Sequence, residues 1–133
     1  MISRRRIESR DDIRLLVESF YHKVMGDSVI GEIFRDVLVF RWDTHIPIMI
    51  NFWESVLLKG ANYKGNTMKI HIELDKTHHL SPEHFERWKR LFFETIDEHF
   101  DGEIADEAKK KVELMETLIL TKIAQSRNPN FIQ

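Results

Sequence analysis

Two histidines, His45 and His71, are the residues of this chain best suited to binding a metal cofactor. His45 lies in an aromatic stretch with helical spacing, and His71 follows a turn that contains Gly65. Imidazoles on two neighbouring helices can face a flat cofactor, and their spacing suits a haem between the helices. Tyr21 lies upstream and Trp88 downstream, and each carries a polar hydrogen that could reach the same centre. These residue types predict a haem site assembled from separate segments.

The absence of cysteine limits how such a cofactor could be held. The chain has no cysteine, which excludes disulfide bonds, thiolate ligands and the covalent attachment of a c-type haem. Histidine, carboxylate and hydroxyl groups remain as metal ligands. We therefore expect any haem to be haem b, bound noncovalently.

The composition predicts one helical domain. A chain of 133 residues with 42% hydrophobic residues can bury one core, and its five glycines and three prolines are few for an all-β protein. The formal charge of -2 gives no field that would attract nucleic acid. Arg4–Arg6 is not followed by an apolar segment, and no apolar stretch approaches the roughly 20 residues of a membrane span. We expect a cytoplasmic all-α domain over residues 1–133, with a core of about residues 11–125 between two tails.

Hydrophobic spacing and helix-boundary residues predict the helical segments. They cover roughly residues 11–25, 28–37, 43–59, 66–74, 82–100 and 104–127, with an irregular stretch through His79 and a final stop at Asn128-Pro129. The segment with His71 is long enough for only two turns. Pro47 lacks the amide hydrogen that would bond four residues back, so its helix must begin just before His45 or kink beside it. Either outcome fixes the direction of His45.

A series of motifs along the chain can be compared with known families. They are Phe20-Tyr21-x-Lys23-Val24, Trp42-x-x-His45, Asn51-Phe52-Trp53, Leu57-Leu58, Tyr63-x-Gly65, His71 and Phe85-x-x-Trp88-x-x-Leu91-Phe92. Together they resemble the group III truncated haemoglobins, in the family's order and from roughly Ile13 to Ile123. Single glycines, Gly26 and Gly60, replace the paired glycines typical of groups I and II. The resemblance implies a two-over-two helical sandwich around haem, a shortened globin whose proximal helix has only a turn or two.

The resemblance also implies a role for each polar site residue. His71 corresponds to the proximal iron ligand, Tyr21 and His45 to distal residues, and Trp88 to the tryptophan beside the bound gas. Dioxygen at ferrous haem acquires partial negative charge, so each phenol, indole or imidazole donor could stabilise it by about 1 to 3 kcal/mol. Two donors would slow its release by about 10- to 1,000-fold. Such retention favours redox chemistry with small ligands over oxygen delivery.

Further residues are candidates for the pocket wall. We expect the cofactor to contact Phe34, Met49, Phe52, Tyr63, Phe92 and Met115, whereas packing is the better interpretation for Trp53 and Phe85. The haem carboxylates need cationic or hydroxyl partners at the mouth of the pocket. The candidates are Arg41, Tyr63, Lys64, Lys69 and His79.

Simpler interpretations compete with this one. A lone histidine on an apolar helix is more often structural than a ligand, and Tyr21 and Trp88 could be core residues. His78, His79, Glu83 and His84 form a cluster that misses the H-x-x-E-H zinc pattern. The alternative from another class is a cofactor-free helical module for protein interaction.

The favoured function is reversible binding of dioxygen, nitric oxide and carbon monoxide at a histidine-ligated haem iron. Detoxification of nitric oxide or reactive oxygen, or sensing, fits strong distal donors better than bulk oxygen storage does. Nitric oxide dioxygenation and peroxidase-like chemistry both stay open. The sequence has no flavin or nicotinamide domain, so turnover would require a separate reductase.

Overall fold

The computed structural model describes residues 4–37 and 41–127, and all of its regular elements in these ranges are helices. The helices are α1 (Arg10–Met25), a π-helical turn (Ile33–Val37), α2 (Trp42–Leu58), α3 (Thr67–Thr77), α4 (Pro82–His99) and α5 (Glu103–Ser126). The prediction of an all-α fold is confirmed. None of the helices within the described ranges is both long enough and apolar enough to cross a membrane.

Helix α1 begins at a capping box, as its sequence predicts. The Asp12 carboxylate accepts hydrogen bonds from the amides of Glu8 at 2.9 Å and Ser9 at 3.1 Å, so two amides at the helix start are satisfied. Its buried apolar residues recur at helical spacing and form one inner face. They are Ile13, Leu16, Val17, Phe20 and Val24.

Helix α4 also begins where the sequence predicts. The Ser81 hydroxyl accepts from the amide of His84, and the His84 ring accepts from the amide of Ser81 at 3.1 Å. Pro82 occupies the first turn, where its missing amide hydrogen costs nothing. The inner face then buries Leu91 and Phe92, which brings α4 against α1.

The helices pack around two hydrophobic clusters of unequal size. Helix α1 lies against α2 and α4, and α5 lies against α4. Their inner faces form the larger cluster, whereas the smaller one, composed of Ile33, Leu80, Ile119 and Ile123, lies where α5 packs against α3. The helix with His71 therefore lies outside the main core.

Two helix boundaries differ from the prediction. Helix α2 begins at Trp42, because the Arg41 carbonyl accepts from the amides of Thr44 and His45, and it continues through Pro47. Helix α2 ends at Leu58, and Lys59 after it has the left-handed conformation with φ 60°.

Helix α3 is longer than the two turns predicted. It runs to Thr77, three residues beyond Leu74, so part of the stretch predicted as irregular is helical. The amide of His78 then bonds the Leu74 carbonyl at 2.9 Å. At the end of α5, Asn128 and Pro129 lie outside the described residues.

The segment before α1 is attached to the turn between α4 and α5. The Arg5 amide donates to the His99 carbonyl at 3.0 Å, and the Asp101 amide donates to the Arg5 carbonyl at 3.1 Å. Ile7 is only 2% exposed. These residues therefore extend the main core beyond the range predicted for it.

Candidate functional site

One cavity of about 520 Å³ lies between the helices and brings the predicted site residues together. This volume falls within the ~300–1,000 Å³ typical of cofactor and ligand pockets. Its polar or titratable lining residues are Tyr21, His45, Tyr63, Thr67, His71, His84, Trp88, Lys89 and Glu116. The apolar lining residues are Ile30, Ile33, Phe34, Ile48, Met49, Phe52, Trp53, Ile70, Leu74, Leu80, Phe85, Val112, Met115 and Ile119.

His71 is held in one tautomer by its own helix. Its Nδ1 lies 2.7 Å from the carbonyl oxygen of Thr67, one turn earlier in α3. Because a carbonyl can only accept, Nδ1 carries the proton and Nε2 of the neutral ring keeps its lone pair. Burial lowers the pKa of His71, against the opposing effect of the Thr67 carbonyl. A neutral imidazole of this kind is the form that ligates iron.

The residues around Thr67 support this arrangement. The Tyr63 hydroxyl lies 3.0 Å from the Thr67 hydroxyl, and the Tyr63 ring packs against Phe52 with 5.0 Å between centroids. The Asn66 side chain accepts from the amide of Lys69 at 3.0 Å and caps α3. The start of α3 is therefore tied to the loop before it, close to the carbonyl that orients His71.

Tyr21 and Trp88 form a hydrogen-bonded pair in the same cavity. An indole N–H can only donate, so the Tyr21 hydroxyl oxygen accepts from Trp88. Tyr21 is 4% exposed, and its burial raises the pKa of the phenol well above its usual value, more than the bond from Trp88 lowers it. Tyr21 therefore stays protonated at any physiological pH, and its hydroxyl keeps a hydrogen to donate.

Trp88 is positioned by an aromatic stack. Phe92 lies between two tryptophans, with ring centroids 5.0 Å from Trp88 and 4.8 Å from Trp53, at interplanar angles of 14° and 24°. Phe20 meets both Trp88 and Phe92 edge-on. We call Trp53, Phe92 and Trp88 the aromatic stack.

The structure places Phe92, a predicted cofactor contact, in the main core. Phe92 is fully buried in the main core and is not among the residues that line the cavity. Helical spacing places it one turn after Trp88 on the same face of α4, but Trp53 and Trp88 cover its two ring faces. Its role is therefore to support the cavity wall from behind.

His45 lines the cavity from the start of α2. Its Nδ1 lies 2.8 Å from the amide nitrogen and 3.0 Å from the carbonyl oxygen of Arg41. If Nδ1 accepts from the amide, Nε2 carries the proton and is a donor; if Nδ1 donates to the carbonyl, Nε2 is an acceptor. The tautomer of His45 therefore decides which hydrogen bond it can make in the cavity.

The rest of the predicted wall is largely assembled. Five predicted contact residues line the cavity, namely Phe34, Met49, Phe52, Tyr63 and Met115. Trp53 and Phe85, for which packing was the favoured interpretation, also line it, and the Phe85 ring lies 5.8 Å from that of His71. The spacing of Phe85 along α4 could have shown this, because it lies one turn before Trp88.

Some lining residues gave no signal in the sequence. Ile48 and Ile70 line the cavity although 41% and 48% exposed, so part of its wall is open to solvent. Lys89 and Glu116 form an ion pair of 3.2 Å in the lining, between α4 and α5. Only the packing of the helices brings these two charges together.

Most candidates for binding the haem carboxylates lie away from the cavity lining. Arg41, Lys64, Lys69 and His79 are exposed, and Tyr63 alone of the proposed set is a lining residue. The choice among them stays a prediction.

The rival metal cluster does not form. Across residues 4–37 and 41–127, no group of three or more His, Asp or Glu side chains could hold a metal ion. His84 belongs to the cap of α4, and the His78 ring packs against it edge-on with 5.7 Å between centroids. A single histidine ligand is a poor site for a bare ion, but it fits an iron whose equatorial ligands come from a porphyrin.

Two comparisons with known proteins agree with this arrangement. The chain is 28% identical over 110 residues to the Group 3 truncated hemoglobin ctb of Campylobacter jejuni, covering 80% of this chain and 84% of that protein. Its fold matches the crystal structure of a group III truncated hemoglobin from Campylobacter jejuni with a TM-score of 0.82 and 25% sequence identity, over 91% of this chain and 95% of that one. No protein-family model matches the chain. The resemblance inferred from the motifs is therefore confirmed: the chain has an all-α globin fold and is similar in sequence and in structure to the group III truncated haemoglobins.

Proposed function

We propose that this chain binds haem b noncovalently through His71 and that the haem binds dioxygen, nitric oxide and carbon monoxide reversibly. The observation that supports this most is the composition of one cavity. It is lined by His71, whose Nδ1 is committed to the Thr67 carbonyl, and also by Tyr21, His45 and Trp88. The absence of cysteine from the whole chain favours a noncovalent cofactor.

His71 would hold the cofactor, and its surroundings would restrict its motion. The bond to Thr67 fixes rotation of the imidazole, and Phe85 packs beside the ring. When bound, haem supplies an iron centre that binds diatomic gases and exchanges single electrons. The largely apolar wall would limit the water around that centre and strengthen hydrogen bonds within the cavity.

Tyr21 and Trp88 would act on the gas. A diatomic ligand with partial negative charge is stabilised by donors, and the buried phenol stays protonated because its pKa is raised. The indole N–H is directed at the phenol oxygen, which polarises the phenol O–H and makes it a better donor. His45 is a third candidate donor, in the tautomer that carries the proton on Nε2.

Donors that retain dioxygen favour detoxification or sensing over bulk storage. Conversion of nitric oxide and dioxygen to nitrate consumes one electron, so sustained turnover would need a separate reductase. Peroxidase-like chemistry would have the same requirement for a reductant. A cytoplasmic location stays a prediction from the sequence.

Cofactor binding is the first test. Titration of the purified apoprotein with haemin should give saturable binding and a sharp Soret band, which should shift after reduction and addition of carbon monoxide. Apoprotein that gives no saturable spectral change would overturn the proposal and favour the cofactor-free interaction module.

The nitric oxide reaction is tested separately. The oxygenated protein should form nitrate on mixing with nitric oxide, faster than dioxygen leaves in a control without nitric oxide. Nitrate formation no faster than dioxygen release would exclude dioxygenation while leaving reversible gas binding in place.

A further inference from the structure

The end of α3 is fastened to the end of α5 by a polar cluster in addition to apolar packing. Asp75 is 3% exposed, although the carboxylate is one of the groups least often buried. Arg127 Nε donates to Asp75 Oδ2 at 2.9 Å, and Arg127 Nη2 donates to Asp75 Oδ1. The two groups form a bidentate ion pair, the geometry in which an arginine and a carboxylate bind most specifically.

The backbone of Leu80 completes the cluster. Its amide donates to Asp75 Oδ1 at 2.8 Å, and its carbonyl accepts from Arg127 Nη2 at 2.9 Å. Each side chain therefore binds the other and also the loop between α3 and α4. We call Asp75, Arg127 and the Leu80 backbone the Asp75 clamp.

The apolar side chains of α3 that pack against α5 are only partly buried. Of its side chains that the structure describes, Asp75 alone is buried, and the helix packs mainly against α5. His71 lies one turn before Asp75 on the same helix. A shift of α3 along or around its axis would therefore move the His71 ring together with the Thr67 carbonyl that orients it.

We propose that the Asp75 clamp positions α3 and, through it, sets where His71 meets the haem iron. Asp75 and Arg127 are positioning residues in this view, because neither lines the cavity. The inference rests on the proposed function, since it assigns the clamp a role in presenting the iron ligand.

The chain contains a matched control for the test. Asp27 has the same 3% side-chain exposure as Asp75 and also pairs with an arginine, since Arg87 Nε donates to it at 2.8 Å. Asp27 precedes the π-helical turn and binds the amides of Val29 and Ile30, far along the chain from α3. Asp27→Asn therefore removes an equally buried charge without touching the clamp.

Two measurements would distinguish positioning from general stability. Amide hydrogen exchange of the apoprotein should accelerate within α3 by more than about tenfold in Asp75→Asn, relative to α1, because the buried ion pair is lost. Resonance Raman spectra of the ferrous haem protein without added gas should show a shifted or broadened iron–histidine stretch. Arg127→Gln should reproduce both effects, and Arg127→Lys, which keeps the charge but not the fork, should restore them in part. Asp27→Asn should leave α3 exchange and the stretch unchanged.

The outcomes separate this inference from the proposed function. If wild type shows an iron–histidine stretch and Asp75→Asn matches Asp27→Asn in both measurements, the clamp has no positioning role and the proposed function stands. If wild type binds no haem through a histidine, both proposals fail. If Asp75→Asn does not fold, the Arg127→Gln and Arg127→Lys pair decides by the same two measurements.

Discussion

The two sides of the cavity are buried in different ways. Tyr21 on α1 and Trp88 on α4 belong to helices whose inner faces bury aromatic and aliphatic side chains. On α3, the helix of His71, the one described side chain that is buried is Asp75. On the first side, Phe20 and Phe92 are fully buried and the aromatic stack supports Trp88. On the second side, hydrogen bonds hold both ends of α3, between Tyr63 and Thr67 and between Arg127 and Asp75. Dense apolar packing tolerates little movement, whereas a helix with few buried apolar side chains moves or opens at a lower cost in free energy. We call the side of the cavity formed by Tyr21 and Trp88 the donor side. We infer that the donor side is the rigid half of the cavity and that α3 is the adjustable half.

The largest expected difference is in the free energy of unfolding when one apolar side chain is truncated on each side of the cavity. Phe92→Ala should lower the free energy of unfolding of the apoprotein by about 3 to 5 kcal/mol, because it empties the centre of the aromatic stack. Ile70→Ala on α3, where the side chain is 48% exposed, should change it by less than about 0.5 kcal/mol. Urea unfolding followed by circular dichroism measures both. Equal losses in the two variants would contradict the comparison.

Loss of the Asp75 clamp should lower the free energy of unfolding by a smaller amount, and this loss should depend on pH. Arg127 lowers the pKa of Asp75, assisted by the Leu80 amide and nearby His79, although burial opposes the shift. A carboxylate with a lowered pKa stabilises the fold above its unfolded-state pKa of about 3.9, and this stability is lost as the pH falls through the lower folded-state pKa. Asp75→Asn should therefore cost about 1 to 3 kcal/mol at neutral pH and progressively less in acid.

The control for this pH dependence is Ile70→Ala, which leaves every charged group in place. Urea midpoints of wild type and Asp75→Asn should converge as the pH falls below about 4. Ile70→Ala should keep a constant offset from wild type over the same range. A gap between wild type and Asp75→Asn that is independent of pH would contradict the assignment of stability to the ionised carboxylate.

The smallest change in stability is expected from Tyr21→Phe, which tests the donor side without disturbing its packing. Tyr21→Phe keeps the ring and removes the hydroxyl that accepts from Trp88, so the apoprotein should lose only about 1 to 2 kcal/mol of stability. Dioxygen release from the haem protein, measured by stopped-flow displacement with carbon monoxide, should accelerate by about tenfold or more. Tyr63→Phe, which removes the hydroxyl beside Thr67, should leave release within about twofold of wild type. Equal acceleration in both variants would remove the special role of Tyr21.

Most of the fold could be predicted from the sequence because its signals are local. The Ser9 and Ser81-Pro82 caps and the spacing of apolar residues define α1 and α4 within a residue or two of their observed bounds. The end of α3 could not be predicted, because its last turn is held by Arg127, which lies far along the chain. The helix propensities of the residues near Thr77 carry no information about such a distant contact.

The candidate site divides in the same way, into residues that the sequence indicates and residues whose positions depend on the packing of the helices. Residue type and order along the chain were enough to select His71, Tyr21 and Trp88, which line one cavity in the structure. The core position of Phe92 could not be predicted, because helical spacing gives the face of a helix but not which neighbour covers it. The tautomer of His71 could have been predicted from the sequence, because it depends on the carbonyl of Thr67, one turn earlier in the same helix.

The central claim is that His71, and not His45, ligates the haem iron. Visible spectra of haem-loaded wild type, His71→Ala and His45→Ala test it directly, with both substitutions removing an imidazole that lines the same cavity. We predict that His71→Ala loses the haem band or alters it strongly, whereas His45→Ala keeps the wild-type band and changes only the kinetics of gas binding. A His71→Ala protein that retains the spectrum of five-coordinate, histidine-ligated haem would contradict the account and direct attention to His78 or His79.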